Sequence, residues 1–410
     1  MIDKTITSQQ AIELEDKYGA HNYHPIPVVL SRGEGVYVWD MDGKRYYDFL
    51  AAYSAVNQGH CHPRIIEVLK SQADKLTLVS RAFHSDQLGL TEKYLCDFFG
   101  YEKALLMNSG AEANESAIKL ARKWGYTVKG IPENEAVIVA VEHNFHGRTI
   151  TVISASTDPI SRTGFGPFTP GFQIIPYNDV DALEKALSNP NVCGFWVEPI
   201  QGEAGVYVPE DGYLRQAADL CKKHNVILML DEVQTGVGRT GKMLAAEYEE
   251  VHPDMLILGK AISGGTYPVS AVLTSDEIML TIRPGEHGST YGGNPLACAV
   301  VREALEVILD EGLVENSFRL GKLFRSRMEE LIQQSPLVKT VRGKGLMNAI
   351  IVDDKEDGDL AWRICLALKD NGLLAKPTHG NIIRFTPPLV INEEQLHECC
   401  DIIVQTILVL

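Results

Sequence analysis

The chain has no apolar run approaching the ~20 residues that a membrane-spanning helix needs. Its apolar pieces are short ones such as Val226-Ile-Leu-Met-Leu230. It is also poor in positive charge: 38 Lys and Arg stand against 54 Asp and Glu, a formal net charge of −16. Nucleic-acid binding needs a basic footprint, so that class of partner is excluded. No Cys-x-x-Cys spacing occurs among the eight cysteines, and Cys399 and Cys400 are adjacent, too close for ordinary disulfide geometry. Scattered thiols of this kind fit a reducing compartment. His60-Cys61-His62 resembles a metal site, but further ligands at suitable spacing are missing, so no metal is expected. The opening Met1 to Gln10 shows neither a signal peptide's apolar core nor a transit peptide's arginines. The expectation is a cytoplasmic enzyme, with the mitochondrial matrix an option only if a transit peptide was removed.

What is present is the composition of a soluble globular protein, 410 residues with 45% apolar and 22% charged, enough chain for two or three domain-sized units. Short β-rich runs alternate with helical stretches, the signature of an α/β sheet. Ala104–Met107, Ala136–Val141, Gly194–Val197, Val226–Leu230, Met255–Leu258 and Val269–Leu273 read as strands. Ala111 to Lys123 and Gly212 to His224 read as helices. A Gly- and Pro-rich stretch from Gly285 to Pro295 closes this region. A long helical stretch follows, Pro295 to Ser335 with a break near Gly312, and then a mixed α+β tail. Near the start, Val36 to Tyr47 reads as a hairpin turning at Asp42-Gly43. The expected organisation is an arm over 1–45 packing with the small domain, a large domain with a mostly parallel sheet over 46–294, and a smaller α+β domain over 295–410.

The segment Gly236-Val-Gly-Arg-Thr-Gly241-Lys242 imitates two nucleotide motifs. A P-loop would need Ser or Thr next, where Met243 stands. A dinucleotide loop would begin directly after its strand, whereas Asp231 to Thr235 intervene, and no acid lies between Met255 and Ser275. Both readings are weak. Asp231 is the better clue, because it ends an apolar strand where open α/β sheets place ligands. Alone it would be a helix cap. Lys260, after a second strand and flanked by Leu258, Gly259, Ala261 and Ile262, changes the balance. Apolar flanks lower an amine's pKa and favour imine chemistry; a lysine with a carboxylate at neighbouring strand ends fits pyridoxal phosphate. Met107-Asn-Ser109-Gly110-Ala111 runs from strand to helix as a phosphate cradle. Ser289 and Thr290 offer hydroxyls, and Phe145 an aromatic to stack on a ring.

These residues together resemble the class III (ω-amino acid) pyridoxal-phosphate aminotransferases of fold type I. The specific stretches are Leu230-Asp-Glu-Val-Gln-Thr-Gly-Val-Gly-Arg-Thr-Gly241 and Pro253-Asp-x4-Gly-Lys260-Ala-x-Ser-Gly-Gly265. The resemblance covers nearly the whole chain and is narrowest with the ornithine-converting members. Tyr18 to Pro25, Tyr53 to Pro63, Ser80 to Phe83, Val197 to Gly205, Pro284 to Pro295 and Ala375 to Gly380 carry it. The resemblance implies that Lys260 links covalently to the cofactor and that Asp231 pairs with its ring nitrogen. It implies Gln234 near the phenolic oxygen, Phe145 on the ring face and Glu198 beside it. The phosphate would be held by Ser109, Gly110 and Ala111, with Ser289 and Thr290 arriving from a partner subunit, which makes a homodimer or higher homo-oligomer the working unit. Tyr23 and Arg148 would hold the α-carboxylate of L-ornithine, and Tyr53 would shape the pocket at its α-amino end. Arg384 would bind the 2-oxoglutarate carboxylate, and Glu203 would neutralise Arg384 while ornithine reacts.

On that resemblance the chain moves the δ-amino group of ornithine to 2-oxoglutarate in two half-reactions through one site, giving glutamate 5-semialdehyde and glutamate. N-acetylornithine and 4-aminobutyrate aminotransferases are the alternatives within the class. From another class comes a catalytically silent binding protein on the same scaffold, against which an intact Lys260 and Asp231 argue. Tyr23 and Tyr53 also have a plain reading as core aromatics.

Overall fold

The computed structural model describes residues 6–410; the first five residues of the expected arm lie outside the described residues. The centre is a sheet of seven strands: β1 (Lys103–Met107), β2 (Val137–Val141), β3 (Phe172–Ile175), β4 (Val192–Val197), β5 (Ile227–Asp231), β6 (Met255–Leu258) and β7 (Ser270–Thr274). Their spatial order is β1-β7-β6-β5-β4-β2-β3. Every pairing is parallel except those of β7, which runs against both its neighbours. Strands β4 to β7 are buried throughout, which is why they read as unbroken apolar runs rather than alternating ones. The edge strand β3 is half-buried and interrupted by Gln173; it lacks that signature and was not expected. The α/β class of the sequence reading is the class found.

The helices Gly110–Trp124 and Tyr213–Lys223 cross between strands and cover the sheet. Because β1, β2, β4, β5 and β6 point the same way, their C-terminal ends open along one edge. The reversed β7 starts at that edge, with Ser270 opposite Met107. Chemistry-bearing residues from five strand ends are thereby brought together, as open α/β sheets require.

A second sheet is antiparallel, made of Val338–Lys344, Met347–Val352, Ile382–Phe385 and Lys376–His379. It follows the helices Pro295–Asp310 and Leu313–Gln334, which break at Gly312 with φ +60°. The hairpin strands Tyr37–Asp40 and Arg45–Asp48 join Leu30–Glu34 on one side and Leu373–Leu374 on the other. Their turn is closed by Asp40 Oδ1, which accepts from the backbone of Asp42 and Lys44.

The glycine-rich segment after β5 binds protein. Arg239 is fully buried and donates to the carbonyls of Leu346 (2.9 Å) and Pro387 (2.7 Å) and to Asn57 Oδ1 (2.6 Å). A Cβ at Gly241 would stand 2.7 Å from Phe318 Cα. The glycines here let the large sheet's loop pack directly on a C-terminal helix, so the resemblance to nucleotide loops is accounted for by packing.

Candidate active site

Asp231 closes β5 and is 4% exposed. Its Oδ2 accepts from Asn114 Nδ2 at 2.8 Å and lies 2.7 Å from His146 Nδ1, while its Oδ1 accepts from the backbone N–H of Val233 at 3.0 Å. Asn114 sits on the inward face of the helix Gly110–Trp124, and its Oδ1 accepts from Trp196 Nε1 at 2.9 Å. The Trp196 ring stacks on His146 with centroids 3.8 Å apart. A buried carboxylate held by this many donors is fixed in direction and does not rotate to suit a ligand. Sequence reasoning found Asp231 and missed Asn114, His146 and Trp196. The one available signal was Asn114, a polar residue on the otherwise apolar face of Ala113 and Ala117.

Lys260 follows β6 at φ +45°, a left-handed conformation unusual for a residue with a Cβ. Strain of this kind marks a position that the surroundings over-determine. Burial lowers its amine pKa below the usual range, an effect that the nearby carboxylates of Glu203, Asp231 and Glu198 partly offset and the Arg384 charge reinforces. A less protonated amine is the form that attacks a carbonyl. Glu198, at the end of β4, is buried and accepts from the backbone N–H of Phe145 at 2.9 Å. Burial first, and then the Asp231 charge, push its carboxyl well above the usual value.

The helix Gly110–Trp124 begins with a capping box. The Ser109 hydroxyl accepts from Glu112 N, and Glu112 Oε2 accepts from the backbone of Asn108 and Ser109. Ser109 is thus engaged already. The next two amides, Gly110 and Ala111, have no acceptor among the described residues. They point out of a helix N-terminus, which suits an anion. A Cβ at Gly147, where φ is +131°, would meet Ala111 Cβ at 2.7 Å, so that place is closed to a side chain; one at Gly110 would meet Val233 Cγ1 at 3.0 Å and would need Val233 to give way. These donors, the half-buried lysine and the fixed carboxylate fit a ring cofactor bearing a phosphate, an aldehyde and a basic ring nitrogen. Ser289 Oγ accepts from Asn108 Nδ2 of its own chain at 3.0 Å, and Thr290 is exposed.

Arg384 is 2% exposed and donates to Glu203 Oε1 at 2.8 Å and to Gln234 Oε1 at 3.1 Å. Gln234 Nε2 donates back to Glu203 Oε1 at 3.0 Å, closing a triangle. Burial raises the Glu203 carboxyl, but the charges of Arg384 and Lys260 outweigh it and hold the group at about 2. Gly202 is required here: a Cβ on it would fall 1.9 Å from Gln234 Oε1. Tyr53 lies over Arg384, 5.2 Å from guanidinium carbon to ring centroid. Its turn, Ala51 to Ser54, holds four successive residues at φ 44°, 47°, 59° and 72°, a left-handed turn built without glycine. The outer residues are loose. Tyr23 is 68% exposed, and the Arg148 side chain is 60% exposed, 3.9 Å from Asp158 and 5.1 Å from the Phe145 ring centroid. A cleft of about 510 Å³ reaches Glu203 and Arg148, lined by Phe145, His146, Arg148, Glu203, Thr378 and His379 among others.

Residues 18–407 match the family model of class-III aminotransferases. The mitochondrial ornithine aminotransferase of Drosophila melanogaster is 62% identical over 96% of this chain and 90% of its own length. A solved ornithine aminotransferase from Toxoplasma gondii, described with partial occupancy of PLP at its active site, is 49% identical and superposes with a TM-score of 0.97, covering 99% of this chain and 95% of that one. A structure described as acetylornithine aminotransferase, from Elizabethkingia anophelis, is 58% identical with a TM-score of 0.91 over 99% of this chain and 100% of that one. Pyridoxal phosphate is the cofactor of the family. With a half-buried lysine and a fixed carboxylate at neighbouring strand ends and relatives this similar over nearly full length, the chain belongs to the ornithine aminotransferases of the class-III aminotransferase family.

Proposed function

We propose that the chain transfers the δ-amino group of L-ornithine to 2-oxoglutarate, giving glutamate 5-semialdehyde, which cyclises to pyrroline-5-carboxylate, and glutamate. The observation that carries this is the Glu203–Arg384 pair, 2.8 Å apart, in the same electrostatic field as Lys260. A site that turns over both an ω-amine and an α-keto acid must present a carboxylate receptor for one and hide it from the other. A paired arginine does both.

When bound, pyridoxal phosphate supplies an aldehyde for amines and a protonated ring that accepts electrons. The rest is done by the chain. Asp231 is the anionic partner for the ring nitrogen, held in place by Asn114, His146 and the Val233 amide. Gly110 and Ala111 would hold the phosphate through their amides, and Phe145, Glu198 and Gln234 would be the side chains around the ring. Lys260 Nζ, its amine less protonated than usual, would be the group that holds the cofactor's aldehyde and the base that moves the proton at the δ-carbon. Glu203 occupies Arg384 in the ornithine half-reaction and yields it to the α-carboxylate of 2-oxoglutarate or glutamate in the other. Tyr23 and Arg148 take the α-carboxylate of ornithine, and Tyr53 shapes the distal pocket.

We infer a homodimer in which Ser289 and Thr290 of one subunit complete the phosphate site of the other; the exposure of Thr290 in the single chain supports this. All eight cysteines are free, which supports a reducing compartment, the cytoplasm or the mitochondrial matrix. No helix among the described residues is long and apolar enough to cross a membrane.

A second reading, N-acetylornithine as donor, is favoured by the 58% identical structure described under that name. Purified protein offered ornithine, N-acetylornithine and 4-aminobutyrate with 2-oxoglutarate, with glutamate measured, decides between them. Ornithine is expected to give the highest kcat/KM. N-acetylornithine ranking first would replace the first reading by the second.

A further inference from the structure

We propose that Lys376 is a second carboxylate anchor of this site, holding the substrate carboxylate that lies away from the reacting carbon. Lys376 and Arg384 face each other in register on antiparallel strands. Directly opposed residues send their side chains to the same face, and like charges so placed are destabilising. Two cations therefore share one face without an evident gain in stability. What lies between them is Tyr53. Its ring is 5.2 Å from the Arg384 guanidinium carbon, and its hydroxyl accepts from Lys376 Nζ at 3.5 Å. On the other side Lys376 Nζ is 5.6 Å from the Tyr23 ring centroid.

The two cations differ in one respect. Arg384 is answered by Glu203, whereas Lys376 meets a phenol and an aromatic face, and no carboxylate among the described residues pairs with it. A half-buried ammonium held between two aromatic rings, with its anion missing from the protein, is set to take one from a ligand. Thr378 and His379 of the same strand line the cleft that also contains Arg148 and Glu203, so the strand that carries Lys376 borders a cavity shared with two of the proposed substrate-binding groups.

This inference rests on the transaminase reading. In both half-reactions the substrate keeps one carboxylate remote from the reacting carbon: the α-carboxylate of ornithine and the γ-carboxylate of 2-oxoglutarate. One cation at the distal end serves both. Arg148, mostly exposed and tethered at 3.9 Å to Asp158, is the less fixed of the two distal cations.

The test uses cofactor-loaded enzyme and the variants Lys376→Met and Lys376→Arg. Lys376→Met is expected to raise KM for ornithine and for 2-oxoglutarate by about tenfold, as loss of a charge-assisted contact does, with kcat within about threefold in each half-reaction. Lys376→Arg is expected to restore most of the loss. A second readout needs no turnover: equilibrium binding of glutarate, with two carboxylates, against pentanoate, with one. Wild type is expected to prefer glutarate, and Lys376→Met to narrow that preference while leaving pentanoate unchanged. A preference for glutarate that Lys376→Met leaves intact, or a loss shared equally by pentanoate, overturns the anchor. Failure of wild type to use ornithine would overturn the functional reading instead, and the glutarate comparison would still decide on Lys376.

Discussion

The inner and outer ends of the proposed site are built in opposite ways. At the inner end Asp231 is 4% exposed and tied to two side chains and a backbone amide. At the outer end Tyr23 is 68% exposed, and Arg148 is held by a carboxylate at 3.9 Å and an aromatic face at 5.1 Å. The inner groups stand on ends of buried strands and on a helix packed over them. The outer groups come from the N-terminal arm, from a loop and from the second sheet. Rigid elements hold functional atoms more closely than loops do, so bond-making residues sit where the fold is stiffest. The groups proposed for the distal end of the substrate stand on less constrained elements.

The largest effect that breaks this contrast is Lys260→Ala. Removing the amine is expected to abolish multiple-turnover activity with ornithine, while the cofactor still binds through Asp231 and the Gly110 and Ala111 amides. Visible absorption of the loaded variant checks retention, and glutamate release checks turnover. Turnover above a trace would show that the inner end does not depend on this lysine.

The Glu203–Arg384 pair lies between the two ends and is expected to show the next largest effect. Glu203→Ala leaves Arg384 permanently open to carboxylates. The glutamate half-reaction should speed up or tighten while the ornithine half-reaction slows, shifting their ratio on the order of 10²-fold. Stopped-flow measurement of each half-reaction reads that ratio directly, and an unchanged ratio would reduce Glu203 to a loop residue. The pH dependence follows from its carboxyl at about 2, below the ordinary 4.5. A depressed carboxyl contributes fully above its ordinary value and is lost as pH falls toward the depressed one. The switch should therefore be fully present at pH 5 and above, about half a unit clear of that value.

How much of this was legible in the sequence depends on which residues one asks about. Asp231 and Lys260 could be read because each ends an apolar run, and a charge at that place stands out. The buried strands were legible for the same reason, and the half-buried edge strand β3 was not. Asn114 and Trp196 were invisible as a pair: 82 residues separate them, and 117 separate Asn114 from Asp231. Their contacts exist only once the helix Gly110–Trp124 lies across the sheet, a fact of packing that no local pattern records. Phe145 drew attention as a stacking aromatic, while its neighbour His146 is the residue beside Asp231. In a sequence the two are equivalent; in the fold they face different ways.

The smallest effect sharpens the comparison most, because it asks how far the stiffness of the inner end extends. Trp196 does not line the cleft, and its N–H goes to Asn114 rather than to Asp231. It donates to Asn114 Oδ1 at 2.9 Å and stacks on His146 at 3.8 Å, so it braces both of the side chains that hold the carboxylate. Its plain reading is a core aromatic, fully buried in the apolar cluster under the sheet. Trp196→Phe keeps most of that packing and removes the N–H, leaving a buried amide oxygen unpaired at a cost of about 1–3 kcal/mol in stability. If the brace matters, Asn114 is freed to turn, and Asp231 loses part of its orientation. The δ-proton-transfer rate should then fall by roughly three- to tenfold, corresponding to about 0.7–1.4 kcal/mol, with KM for ornithine little changed. Asn114→Ala should cost at least as much, and adding Trp196→Phe to it should cost no further rate, since the brace acts through Asn114 and the two losses are not additive. A core aromatic alone would lower the unfolding midpoint and leave the rate of the folded enzyme where it was. Measuring both quantities on the single and double variants separates the cases, and rate losses that simply add would place Trp196 outside the site.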